Sequence, residues 1–305
     1  MPILVDLSQI VMSGVITQLA DDLERPNVEA DSLIKHMVYT MLLGLKQKFG
    51  KEYGEMILCA DSNKYWRREY FQWYKGHRKH AKEKAKIDWK VVYAALDALI
   101  VDLSEYFPYK VIEVENCEAD DIIACLTHYY QENELDEGGL FGGSPKRIMI
   151  CSSDGDFIQL QKYSNVAQWN NQHKKMVSSS NPKRDLLEKI ASGDSGDNIP
   201  NVITENVWSQ HRAENLEVKL RATPMKSARL EEFSELGEKA CKTDEERANY
   251  ARNDMLINFD NIPSHVYDSI INTYATYKKK GNTTKLMSYF TKNRMKVLFG
   301  DVASF

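Results

Sequence analysis

Residues 147–157 read RIMICSSDGDF, a short apolar run followed by two aspartates one residue apart, Asp154 and Asp156. The run suits a buried strand and is too short for a core helix. A strand that has just buried itself has no packing use for two mutually repelling carboxylates at its tip. Outward from this stretch the same pattern recurs. ILVDL (3–7) carries Asp6 and MILCAD (56–61) ends in Asp61, while YKVIEV (109–114) is a further strand candidate. Helical patterns near 29–49, 88–106 and 119–132 lie between these runs. Strands alternating with helices predict an α/β fold with a mostly parallel central sheet flanked by helices.

A chain of 305 residues can hold one large core or two domains. At 43% hydrophobic and 28% charged it has the balance of a globular protein, with no apolar run near the roughly 20 residues of a membrane span. The start, MPILVDLSQIVM, lacks the basic region of a signal peptide. Five cysteines without a CxxC pair predict reduced, buried thiols and a cytoplasmic setting. DEGGLFGGSP (136–145) predicts a surface loop and VAQWNNQHKKMV (166–177) a hairpin. After SSSNP (178–182) the strand signals stop. The expected organisation is therefore an α/β core over 1–181 and a smaller helical domain over 182–305.

In an open parallel sheet the carboxyl ends of the strands share one edge, where ligands bind. Asp6, Asp61, Asp154 and Asp156 would meet there. CEADDIIACL (117–126) adds Glu118, Asp120 and Asp121 in a first helical turn, and SGDSGDNIP (192–200) adds Asp194 and Asp197. Singly, each is an ordinary cap or turn residue. Collected in one crevice they would repel unless a cation neutralised them. Oxygen-only ligation points to Mg²⁺ or Mn²⁺, and the seven scattered histidines offer no zinc spacing. So many carboxylates suit two ions about 4 Å apart, as in phosphodiester cleavage, with Asp154 and Asp156 divided between them.

A second signal is KYWRREYFQWYKGHRKHAKEKAK (64–86), with nine Lys/Arg, two Glu and six aromatics. Basic residues neutralise phosphates and aromatic faces stack on exposed bases. Following Asp61, this segment would stand at the mouth of the crevice, and its like charges predict a mobile arm in the absence of nucleic acid.

The order of EADD, SSDGDF and GDxxDN, with YKGHRK after the second strand Asp, resembles the structure-specific 5′ nucleases. These are the flap endonucleases and the 5′-nuclease domains of bacterial DNA polymerases. Within them YWRREYFQWYKGHRK resembles most closely the ribonuclease H type of T-even-like bacteriophages, and the match spans about residues 3–230. The resemblance implies a PIN-like nuclease core with a basic helical arch over about 64–88 and a C-terminal helical domain that binds duplex DNA. It implies a divalent-metal-dependent 5′→3′ exonuclease and flap endonuclease. Such an enzyme hydrolyses phosphodiester bonds at 5′ ends of RNA/DNA or DNA/DNA duplexes and removes RNA primers during phage DNA replication. By the matching motifs, Asp6, Asp61, Glu118, Asp120 and Asp154 would serve a first Mg²⁺. Asp156, Asp194 and Asp197 would serve a second, largely through waters, with Mn²⁺ able to substitute. Asp121 would be turned away from the ions. Lys75 and Arg78 would contact the scissile phosphate and Tyr74 would stack on the terminal base, with Arg67 a further nucleic-acid contact.

One departure stands out. The family follows its last aspartates with a glycine-rich hairpin between two helices, whereas 201–233 holds no glycine. TPMKSA (223–228) could supply the second helix, with Thr223 as N-cap, Pro224 in the first turn and Lys226 on a phosphate. The resemblance further implies a monomer in the host-cell cytoplasm, with no membrane partner. Its partners would be DNA and RNA/DNA duplexes with 5′ ends or flaps, and replication proteins such as a single-strand-binding protein or clamp. YKKKGNTTKLMSYFTKNRMK (277–296), with seven Lys/Arg and no acid, is a candidate contact for either. Two alternatives differ in kind. A PIN-like endoribonuclease would share the sheet but lack the basic arm and helical half. A catalytically silent replication scaffold would have little reason to keep the whole acidic set.

Overall fold

β1 (Pro2–Asp6) is buried along its whole length, because its residues face packing on both sides. Ile3 and Val5 join one apolar cluster and Leu4 another, the alternation a strand imposes. The computed structural model describes residues 1–15, 30–85, 87–133 and 143–305. After β1 come α1 (Leu7–Gly14), α2 (Ala30–Tyr53), β2 (Glu55–Ala60), α3 (Trp66–Tyr70), α4 (Arg78–Lys84) and α5 (Trp89–Tyr106). β3 (Lys110–Glu113), α6 (Ala119–Asn133), β4 (Ile148–Cys151), a 3₁₀ segment (Gly155–Lys162), β5 (Val166–Asn170) and β6 (Lys175–Val177) complete the sheet half. The helical half contains α7 (Pro182–Ser192), α8 (Val207–Glu214), α9 (Ser227–Leu236) and α10 (Asp244–Ile257). It ends with α11 (Ser264–Thr276), α12 (Thr283–Lys292) and α13 (Lys296–Phe299).

The sheet order is β3-β2-β1-β4-β5-β6, parallel except for β6, which closes an antiparallel hairpin with β5 as expected for 166–177. β1 pairs with β2 on one side and β4 on the other. The strand order reverses there, and a crevice opens at the carboxyl edge of such a point. One face of the sheet is covered by α1, α2 and α5, the other by α6 and the 3₁₀ segment. The last helices return to the sheet half. Leu286, Tyr289 and Phe290 join the first cluster, and Val266, Ile270 and Tyr274 the second. A third cluster unites Ile190, Val202, Phe233 and Tyr250 with Phe71 and Tyr74 of the basic segment.

All five cysteines are buried and none forms a disulfide. Most of the expected loop at 136–145 and the end of the basic segment at Lys86 lie outside the described residues. The basic segment differs from a free arm. Trp66, Phe71 and Tyr74 are buried and Tyr65 and Trp73 pack against the third cluster, while Tyr70 stays exposed. Within the segment, the helix α4 has no buried residue. Packing five of the six aromatics removes apolar area from water, an advantage that outweighs repulsion among charges at the surface. The expected start of α9 also shifts. Thr223 is bound through its own amide to Thr204 Oγ1 at 2.9 Å and through its carbonyl to Asn201 Nδ2 at 2.9 Å. The helix therefore begins at Ser227 with Lys226 as an N-cap that makes no side-chain bond.

Candidate active site

Three strand ends, one helix start and the loop after α7 deliver the carboxylates. Asp6 closes β1 and caps α1, its Oδ1 accepting from Gln9 N at 2.9 Å and its Oδ2 from Ser152 Oγ at 2.9 Å. Asp61 follows β2 and accepts from Ala119 N at 2.7 Å, which ties the strand end to the first turn of α6. That turn carries Glu118, Asp120 and Asp121. Asp154 follows β4, caps the 3₁₀ segment through Asp156 N at 2.9 Å, and stands two residues before Asp156. Asp194 and Asp197 come from the loop after α7, where Asp194 Oδ1 accepts from Gly196 N at 2.7 Å and Asp197 N at 3.1 Å. Asp120, Asp156, Asp194 and Asp197 line one small cleft together with Arg67 and Tyr74.

The charges of these groups act on one another. Burial pushes the Asp6 carboxyl up to about 7, with Asp61 and Asp154 adding repulsion. Burial likewise pushes Asp156 up to about 7, assisted by Asp154 and opposed by Lys189. Asp120 is raised well above the usual carboxylate range by burial and then by Asp154 and Asp6, and Asp61 is raised chiefly by burial. A set of crowded, mostly half-buried carboxylates that resist ionising together calls for a cation. The side chains of this acidic set offer oxygen donors, which fits a hard divalent ion that keeps part of its water shell. Among the described residues no three acidic, imidazole or thiol groups already stand close enough to cage an ion.

Basic side chains meet these carboxylates instead. Lys75 Nζ pairs with Glu118 Oε1 and lies 3.6 Å from Asp197 Oδ2. Arg78 reaches Asp197 Oδ1 at 2.6 Å, and Tyr74 Oη lies 3.0 Å from Glu118 Oε2 and 2.9 Å from Asp197 Oδ2. Burial opposes ionisation of Glu118, but Lys75 and Arg67 outweigh it and hold the carboxyl down at about 2. Asp121 is fully buried and bound by Arg67 at 2.7 Å and by Trp66 Nε1 at 3.1 Å.

Two expectations take a different form here. Arg67 is 3% exposed and bonds Glu118, Asp121 and the carbonyl of Leu256, so here it braces the acidic helix turn. Tyr74, expected to stack on a base, has a buried ring whose hydroxyl is held between two carboxylates. Lys226 is exposed at the N-cap of α9, in a groove with Pro224, Arg229 and Lys242, apart from the carboxylate cleft. Lys189 was missed. It lies on α7, 3.0 Å from Asp156 and 2.6 Å from Asp194. Its only signal in the sequence is its position five residues before Asp194, a little over one helical turn ahead of the loop.

Comparison with known proteins bears on both halves. Residues 29–189 match the family model of the 5′-3′ exonuclease N-terminal resolvase-like domain, and residues 180–305 match that of the C-terminal part of T4 RNase H. Ribonuclease H of Enterobacteria phage T4 is 33% identical over 309 residues, covering 99% of this chain and 95% of that protein. Among solved structures, T5 5′-exonuclease with bound divalent metal ions (zinc) superposes with a TM-score of 0.56 at 16% identity, over 90% of this chain and 98% of that one. The phage T5 flap endonuclease in a pseudo-enzyme–product complex with DNA and metal ions gives a TM-score of 0.54 at 16% identity, over 97% and 98%. The T5 likenesses show a shared fold. With one family model spanning the sheet half, a second spanning the helices, and a relative aligned from end to end, the chain belongs to the 5′-3′ exonuclease family, in the branch of phage T4 ribonuclease H.

Proposed function

We propose that this chain is a divalent-metal-dependent 5′→3′ exonuclease and flap endonuclease that hydrolyses phosphodiester bonds at 5′ ends of RNA/DNA and DNA/DNA duplexes. In a phage-infected cell its task would be removal of RNA primers in the host cytoplasm, acting as a monomer. The observation that carries the reading is the crest of mutually repelling, mostly half-buried carboxylates at the point where strand order reverses. Family membership and the DNA and metal ions of the T5 complex support it.

Asp6, Asp61, Glu118, Asp120 and Asp154 would hold one Mg²⁺, and Asp156, Asp194 and Asp197 the other. Bound there, the ions would supply an activated water and neutralise a leaving oxygen. The chain's own part is positioning. Ser152 and Gln9 fix both oxygens of Asp6, and Ala119 N fixes one oxygen of Asp61. Lys75 and Arg78, paired with Glu118 and Asp197, are cations at the cleft mouth that would transfer to the scissile phosphate. The exposed face of α4 and Lys226 would neutralise backbone phosphates.

Asp154→Asn tests this directly. Cleavage of a 5′-flap DNA should fall by several orders of magnitude with binding nearly intact, because the charge removed repels phosphate. Calorimetric titration with Mg²⁺ should show weakened uptake in parallel. Undiminished cleavage in this variant, or in EDTA, would end the metal-dependent reading.

A further inference from the structure

Between the helical half and the base of the basic segment sits one residue with no solvent exposure, Asn198, in the left-handed region at φ 65°. Its Nδ2 donates to Trp73 O at 2.9 Å and to Ser209 O at 2.8 Å, and its own carbonyl accepts from Ser209 Oγ at 2.8 Å. Two carbonyls from two other elements thus converge on one NH₂ group. An aspartate there would oppose them with oxygen, a serine would serve one of them, and a glycine neither.

The neighbouring residue completes the attachment. Asp197 O accepts from Lys75 N at 2.8 Å, so the turn Trp73–Gly76 is tied at two points to the loop of Asp194 and Asp197. Lys75 itself is left-handed at φ 53°, a conformation that a lysine keeps only when its surroundings impose it. On the other side of the turn, a Cβ on Gly76 would come within 2.6 Å of Ala213 Cβ, so the turn lies directly against α8. Lys75 leaves this held turn and reaches Glu118 and Asp197.

We propose that Asn198 is a positioning residue. By clamping the Trp73 carbonyl it fixes the backbone of Lys75 relative to the carboxylate loop and to α8, and so sets where the Lys75 ammonium stands. The inference rests on the catalytic reading of Lys75 given above. The clamp joins the base of the basic segment, the Asp194–Asp197 loop and α8 into a single attached unit. Released from the clamp, Lys75 would relax out of the left-handed region and withdraw its charge from the crevice.

Asn198→Gly keeps the positive φ and removes only the carboxamide. At saturating Mg²⁺ and flap DNA, its single-turnover rate should fall by about 10-fold or more with little change in binding, as expected for a misplaced electrostatic group. Combined with Lys75→Ala, it should add no further loss beyond about twofold, because the two changes remove one effect. Hydrogen exchange of amides 74–76, measured without metal or DNA, should accelerate in Asn198→Gly. Asn198→Ser, with one donor, should recover part of both, which covers the case of a poorly folding glycine variant. If Lys75→Ala leaves the rate intact, the catalytic reading of Lys75 falls, while the exchange data still judge the clamp. Wild-type exchange in Asn198→Gly, or a rate loss that multiplies in full with that of Lys75→Ala, would overturn the inference and leave Asn198 a local structural residue.

Discussion

Lys189 lies between two carboxylates that face each other across the cleft, 3.0 Å from Asp156 and 2.6 Å from Asp194. Burial works against its charge, yet Asp156 and Asp194 together raise its pKa, so it remains a cation. It therefore occupies the electrostatic place that a divalent ion would take, and the two compete. Lys189→Met should lower the melting temperature of the metal-free protein and enlarge the rise produced by saturating Mg²⁺. Equal Mg²⁺-induced shifts in wild type and variant would show that Lys189 does not contest the site. The carboxylates themselves predict a pH dependence. Asp6 and Asp156 titrate near 7 in the folded protein, above the unfolded value of about 3.9. The folded state then binds more protons than the unfolded chain between roughly pH 4 and 7, so stability falls as pH rises through that window. Glu118, held at about 2, has the opposite sign: its contribution is complete above about pH 4.3 and is lost as pH falls toward 2. Melting temperature in EDTA should peak near pH 4–5 and decline toward 7, and Mg²⁺ should remove the decline. A flat profile from pH 5 to 8 in EDTA would mean that these carboxylates do not share a charged crevice.

At the level of elements, the basic segment divides in two. Its first part, through Lys75, packs onto the third cluster and the acidic helix turn, whereas α4 buries nothing. Within this segment, trypsin should cut after Lys79, Lys82 or Lys84 well before Arg67 or Lys75, and flapped DNA should protect the former sites. Early cutting at Arg67 would contradict the buried bonds it makes. This division also marks what could be read along the chain. The strands that lead into Asp6, Asp61 and Asp154, and the helix opened by Glu118 and Asp120, are each local patterns of period and cap, and the structure has them where the sequence puts them. The fate of Trp66, Phe71 and Tyr74 was not legible, because their partners, among them Asp121, Ile190 and Tyr250, are brought to them only by tertiary folding. Lys189 was hidden for the same reason, since its carboxylate at position 156 comes from the other half of the chain. Composition separates helix from sheet at residue 182 but says nothing of α11–α13 folding back onto the sheet half.

For the molecule as a whole, that return is the feature with the largest consequence. Tyr289 on α12 donates to Asp102 at 2.7 Å, stacks on Tyr106 with centroids 4.6 Å apart, and lies 3.0 Å from the hydroxyl of Tyr39. Phe290 and Phe305 pack edge-on against Phe107, which is itself fully buried. The C-terminal helices thus form part of the core that positions β1 and β2, and with them Asp6 and Asp61. Gly281, in the link that brings α12 onto this face, offers a single-residue test. A Cβ there would stand 2.0 Å from the carbonyl oxygen of Phe107, a contact with backbone that no side-chain rotation can relieve. Gly281→Ala must therefore push the link away from Phe107 and loosen the aromatic cluster behind it. Overpacking of this kind costs about 1–3 kcal/mol, which for a chain of this size lowers the melting temperature by roughly 2–5 °C. Because the loosened face supports β1 and β2, the same variant should weaken Mg²⁺ binding, although Gly281 belongs to no proposed ligand set. If the melting temperature fell while Mg²⁺ affinity stayed at the wild-type value, the C-terminal helices would be a stabilising cover with no hold on the carboxylate crest. An unchanged melting temperature would show that the link does not press on Phe107 at all.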